Sequence, residues 1–150
     1  MTAVVDASVL VSAFLFPESI PGRVVALAEQ GVYALHFSLI LLEETRRSLR
    51  NPRLQQSYGH TDNAIDAWCA ELHETGFLLP MPLPGIEPVC RDPDDDHVIA
   101  AAIAAETQCI VTGDRDLLDL GRYENIRIFL DNFMRFSLTM SKYILKRLNI

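Results

Sequence analysis

The chain predicts an α/β fold of three layers, with helices on both faces of a central parallel sheet of about five strands. Short apolar runs rich in Val, Ile, Phe or Leu, each too short for a helix, alternate with longer stretches of helical periodicity. Such alternation is the mark of βαβ units, whose crossovers cover both faces of a sheet. Size and composition agree. The 150 residues are 49% hydrophobic and 22% charged, with a mean hydropathy of +0.15. That is one domain with enough apolar surface for a core, which argues against disorder.

The strands are expected at Ala3–Asp6, Tyr33–Phe37, Phe77–Leu79, Cys109–Thr112 and Ile126–Leu130. The helices between them are expected at Ser8–Phe14, Pro21–Gln30, Leu39–Leu49, Thr61–Thr75 and Asp95–Glu106. Ser38 is placed to cap the helix beginning at Leu39, and Gly31 follows Gln30 as a terminating glycine does. Pro52 is expected to end the Leu39–Leu49 helix. Pro80–Pro88, with four prolines and a glycine, reads as an irregular connection.

Charge excludes one class of function. Thirteen basic against twenty acidic residues leave −7, with a pI near 5.0, so nucleic acid is not held here by bulk positive charge. Local patches or bound cations must do it. No apolar run approaches the ~20 residues of a membrane span, and the first residues lack the basic start of a signal peptide. Cys69, Cys90 and Cys109 are scattered, which fits reduced structural thiols, a cytoplasmic address and no thiolate zinc site.

The acids carry the chemistry. Asp6 closes the first strand, and Asp114 follows the Cys109–Thr112 strand after one glycine, so both fall at the same sheet edge. Ligands of doubly wound sheets bind outside the carboxyl ends of the strands. Eight of the twenty acids lie between Asp92 and Asp119: Asp92, Asp94, Asp95, Asp96, Glu106, Asp114, Asp116 and Asp119. Asp94 or Asp95 is expected to cap the Ala-rich helix, as acids do at a helix N-terminus. Caps need one or two carboxylates, and the rest need a cation. Two carboxylates ~5 Å apart repel by ~3 kcal/mol at an effective dielectric of ~20. Oxygen ligands without clustered Cys or His suit Mg2+ or Mn2+. Such a site points to phosphodiester hydrolysis, since it activates water and neutralises charge on phosphate.

Glu43 and Glu44 share the helix Leu39–Leu49. Glu44 lies nearer the side marked by Leu41, Leu42, Thr45 and Leu49, while Glu43 is expected to be exposed and paired with Arg46 or Arg47. Arg46, Arg47, Arg50 and Arg53 form a basic stretch able to contact RNA or simply to face solvent. His97 reads as an exposed first-turn histidine, and His36, His60 and His73 carry no assignment.

In order, the chain presents strand-Asp6-Ala-Ser8, Ser38-Leu-Ile-Leu-Leu-Glu-Glu44, Asp92-Pro-Asp-Asp-Asp96-His-Val-Ile-Ala-Ala and Val111-Thr-Gly-Asp114-Arg-Asp116-Leu-Leu. This resembles PIN domains, in particular VapC-like toxins of type II toxin–antitoxin systems, from about residue 2 to about residue 134. The resemblance implies a Mg2+- or Mn2+-dependent endoribonuclease. Its acids fall on Asp6, Glu44, Asp96, Asp114 and Asp116, with Asp6, Asp96 and Asp114 holding metal and Ser8 and Thr112 as supporting polar residues. It prefers Glu44 to Glu43 and Asp96 to Asp95, choices that periodicity leaves open. It also implies an RNA substrate, a cognate antitoxin and a homodimer.

Residues 1–136 form the expected nuclease domain, and 137–150 a basic C-terminal extension outside the resemblance. The last sixteen residues, Arg135–Ile150, hold four basic residues and no acid, and read as a packed terminal helix with a solvated face, or as a contact for RNA or a partner. Alternatives are a catalytically inactive PIN-like binding module and an RNA-processing PIN nuclease without an antitoxin. A receiver-type phospho-acceptor needs an acidic pair after the first strand and a late lysine, but Asp6 stands alone and no Lys precedes Lys142. A haloacid-type phosphatase needs Asp-x-Asp where Asp6-Ala7-Ser8 stands.

Overall fold

A computed structural model of the chain describes residues 1–130. The strands are β1 (Thr2–Val5), β2 (Ala34–Phe37), β3 (Phe77–Leu78), β4 (Cys109–Thr112), β5 (Arg122–Tyr123) and β6 (Ile126–Leu130). The helices are α1 (Ala7–Leu15), α2 (Ile20–Glu29), α3 (Leu39–Leu49), α4 (Pro52–Tyr58), α5 (Asp62–Thr75), α6 (Asp96–Ala104) and α7 (Arg115–Leu120), and a 3-10 turn, Pro93–Asp95, leads into α6. Residues 131–150, the extension 137–150 among them, lie outside the described residues.

The sheet has the order β3-β2-β1-β4-β6-β5 and is parallel except for β5, which runs antiparallel to β6. Pleating sorts its side chains into two cores. Ala3, Val5, Leu35, Phe37 and Val111 face α1, α2 and α5, while Val4, Ile110 and Ile128 face α6 and α7. Two cores separated by one sheet make the three layers. The chain leaves β1 for β2 on one side and returns through β4 on the other. The carboxyl ends of β1 and β4 therefore flank the switch point where such sheets bind ligands.

Local signals explain most boundaries. Ser38 Oγ accepts from the Leu41 N–H at 3.1 Å, which starts α3, and Gly31 at φ +73° terminates α2. Three elements were not expected from the sequence: α4, the six-residue α7 and β5. α3 ends at Leu49 as expected, but Pro52 opens α4 behind an Asn51 cap, a first-turn position where its missing N–H costs nothing. α4 buries no residue, so it carries no apolar stripe to read. The sixth strand, β5, is two residues long and forms a hairpin with β6, too short for alternation to show.

Residues 80–88 are irregular, as the prolines require, yet the segment is anchored: Leu79 and Cys90 are buried in the second core, with Leu83 and Ile86 packed against it. The three cysteines are free and buried. Among the described residues no single helix is long and apolar enough to cross a membrane.

Candidate active site

The site is built where β1 and β4 end. Asp6 continues the ladder by one bond, its N–H donating to the Val111 carbonyl at 2.9 Å, and then caps α1 by accepting from the Ala7 N–H at 2.8 Å. Its second carboxylate oxygen accepts from Thr112 Oγ1 at 2.7 Å and Ser8 Oγ at 3.1 Å. Both hydroxyls also accept from the β4 exit, Thr112 from the Asp114 N–H (2.9 Å) and Ser8 from the Gly113 N–H (3.0 Å). Asp6 is only 6% exposed, so these donors replace the water it loses. Ser8 and Thr112 thus clasp the two strand ends together around it.

Asp114 caps α7, one oxygen accepting from the N–H groups of Asp116 (2.8 Å) and Leu117 (3.4 Å). Its other oxygen has no donor among the described residues. Asp95 ends the 3-10 turn, which is capped by Asp92 through the Asp94 N–H at 3.0 Å. The expected cap from Asp94 or Asp95 is therefore supplied by Asp92, and Asp95 makes no side-chain cap bond. One carboxylate oxygen each from Asp95, Asp114 and Asp116 lie within 4.8 Å of one another. Burial, reinforced by the negative charges of Asp114, Asp92, Asp6 and Asp116, pushes the Asp95 carboxyl up to about 7.

These residues fit a divalent cation. The spacing suits oxygen ligands at ~2.0–2.6 Å from one ion, and the donors are all hard carboxylates. Burial and, after it, the neighbouring carboxylates raise Asp95, and a bound cation would offset both.

Asp96, expected among the metal ligands, lies outside the cluster of Asp95, Asp114 and Asp116 in this structure. Its carboxylate accepts from the Cys90 N–H at 2.7 Å and the Val89 N–H at 3.2 Å, so it pins the proline-rich connection to the start of α6 instead of joining the cluster. Burial pushes this carboxyl up, but the hydrogen bonds from Cys90 and Val89 outweigh it and hold the group below the usual carboxylate range. Consecutive residues at a helix start point in different directions, and the two acids are divided between the loop and the cleft.

Glu44 lies on α3 and shares a cleft of about 380 Å3 with Asp6, Ser8, Asp95, Asp114 and Arg47. Its carboxylate is 2.9 Å from His97 Nε2. While Glu44 is ionised the shared proton sits on Nε2. Nδ1 is buried without a hydrogen-bond partner among the described residues. His97 is thus half-buried and engaged, where an exposed residue was expected. Glu43 is exposed and lies 3.5 Å from Arg46, as the helical spacing predicted.

The basic stretch divides in the same way. Arg46 is also 3.8 Å from Asp66, and Arg50 is 3.0 Å from it. Arg47 lines the cleft and has no ion-pair partner among the described residues. Arg91 reaches Asp119 at 3.1 Å and Asp116 at 3.5 Å, a cation at the rim of the acidic cluster. Sequence reasoning missed Asp95 as a cluster member, His97 as a partner and Arg91 altogether. Arg91 and His97 immediately flank the acidic run, but their partners are 25 and 53 residues away, so no local pattern marks them.

The comparisons with known proteins agree with this geometry. A family model described as PIN domain matches residues 2–116. The uncharacterized protein MJ1680 of Methanocaldococcus jannaschii is similar at 29% identity over 129 residues, 86% of this chain and 80% of that protein. No solved structure matches the chain. PIN domains are generally nucleases that use divalent metals, and a carboxylate cluster at the carboxyl edge of a parallel sheet is what that chemistry requires. With a match that runs from β1 through the first residues of α7 and takes in Asp6, Asp95 and Asp114, the chain belongs to the PIN domain family.

Proposed function

We propose that the chain is an endoribonuclease dependent on Mg2+ or Mn2+. The observation that carries this reading is the convergence of Asp95, Asp114 and Asp116 beside the buried, hydroxyl-clasped Asp6. Asp95, Asp114 and Asp116 are the residues that would hold the ion. When bound, it lowers the pKa of water and neutralises charge on the phosphate oxygens. Asp6 keeps the ends of β1 and β4 at fixed spacing and adds negative potential. Glu44, steadied by His97, is placed to orient the attacking water or take its proton. Arg47, without an ion-pair partner among the described residues, supplies a guanidinium for the RNA phosphate, which matters in a chain of charge −7. In-line attack by water leaves a 5′-phosphate and a 3′-hydroxyl.

The test is thermal stability of the wild type and Asp114→Asn with chelator and with excess Mn2+. An ion that binds only the folded state adds ~2.7 kcal/mol at 100 times its Kd. The expected result is stabilisation of the wild type alone. If neither protein responds, the acids are caps and solvated charge, and the inactive binding module becomes the better reading.

His97 acts on the reaction through Glu44. His97→Ala is expected to lower RNA cleavage ~10–100-fold, the usual effect of removing an orienting partner. His97→Gln, which keeps an N–H donor, should recover part of that loss, measured as single-turnover rates on a labelled RNA. A toxin role, with a cognate antitoxin and a cytoplasmic homodimer, is supported by the motif order shared with VapC-like sequences. Its signature would be growth arrest on induction of the wild type but not of Asp114→Asn.

A further inference from the structure

Beside the catalytic cleft lies a second groove of about 360 Å3, lined by Leu39, Ile40, Glu43, Glu44 and Arg47. It shares Glu44 and Arg47 with the cleft, so anything seated in it is continuous with the proposed site of cleavage. Its volume is at the lower end of the ~300–1,000 Å3 typical of small-ligand sites. Leu39 is 44% exposed although it opens a helix whose other leucines are buried. Leu39, Glu43 and Arg47 are one turn apart and form a single row along α3.

We propose that this groove is a subsite for a guanine base of the RNA. The proposal rests on the ribonuclease reading for the polymer and goes beyond it in naming the base. Single-stranded RNA is recognised by splaying bases onto flat or apolar surfaces and bonding their Watson–Crick edges. Leu39 and Ile40 offer the apolar surface. Glu43 offers the edge contact: its side chain is 64% exposed, and its only partner among the described residues is Arg46, 3.5 Å from one oxygen. Exposed pairs of this kind are weak and readily exchanged. An ionised carboxylate only accepts, and with two oxygens it can take two parallel N–H bonds. Guanine presents two such donors side by side, N1–H and the 2-amino group. Adenine, cytosine and uracil each present a single donor group on that edge. Glu44 is engaged by His97, which leaves Glu43 as the available acceptor. Arg47, at the seam of groove and cleft, is placed for the phosphate that joins this base to the scissile bond.

The test is methyl NMR of the full chain, following Leu39 and Ile40 while titrating 5′-GMP, AMP, CMP or UMP in the presence of chelator. All four carry the same phosphate, so contacts to Arg47 cancel in the comparison. The expected result is movement of both methyl sets, with GMP bound at least ~5-fold more tightly than the others and the preference abolished in Glu43→Gln. Equal binding of all four, or no response at these methyls, overturns the proposal. So does movement of the same methyls with protein concentration alone, which would mark a surface for a second copy. A loss of preference counts only if Glu43→Gln keeps the melting temperature and Mn2+ response of the wild type. If wild type fails to respond to Mn2+, the nuclease reading fails independently of what the nucleotides do.

Discussion

Asp95→Asn and Asp96→Ala will have opposite effects, although the residues are neighbours. Asp95→Asn removes a ligand, so Mn2+ should no longer stabilise the protein. It should also make the metal-free protein more stable at pH 8, because it deletes a carboxylate whose ionised form is disfavoured by burial and by the like charges around it. The sign follows from proton linkage. The Asp95 carboxyl sits at about 7 when folded, against ~3.9 in an unfolded chain, so between those values the folded state holds the extra proton. Metal-free stability contributed by this group must therefore fall as pH rises from about 4 to about 8, and the fall should vanish in Asp95→Asn. Asp96→Ala removes the acceptor of the Cys90 and Val89 N–H groups. Leaving these donors unpaired should cost ~1–3 kcal/mol in chemical denaturation while the Mn2+ increment survives. If Asp96→Ala loses the Mn2+ increment and Asp95→Asn keeps it, Asp96 is the ligand, as the family resemblance first implied.

Asp6→Asn is expected to reduce RNA cleavage at least ~100-fold, the scale of losing one fixed electrostatic group at a reacting centre. The fold should survive, because an asparagine oxygen can still cap α1 and the Ser8 and Thr112 hydroxyls can rotate to accept from the amide. Asp6→Ala is different. It loses the cap, worth ~0.5–2 kcal/mol, and strips both hydroxyls of their acceptor. A far lower melting temperature for Asp6→Ala than for Asp6→Asn would separate the structural role from the electrostatic one. Cleavage by Asp6→Asn at the wild-type rate would remove Asp6 from the mechanism.

Much of the fold was legible because its signals are local. The apolar runs became β1, β2, β3, β4 and β6, and Ser38 capped α3 at the expected position. The elements that escaped notice are α4, α7 and β5: α4 buries no residue, α7 is six residues long with Leu117 alone buried, and β5 has two residues. Periodicity has too little to act on in any of them.

The candidate site was legible in part for the same reason. Asp6 and Asp114 are the first and second residues past the ends of two buried strands, so the chain's own pattern put them at one edge of the sheet. The fold class, the shared edge and the excess of acids over caps are thus properties of the sequence alone. Which acid enters the cleft was decided by tertiary structure, because Val89 and Cys90 took Asp96 and left Asp95 among the carboxylates. The same holds for His97 with Glu44, and for Arg47, which lines the cleft while Asp66 engages Arg46 and Arg50. Each outcome depends on which distant group captures one of two adjacent side chains, and a periodic pattern carries no information about that competition.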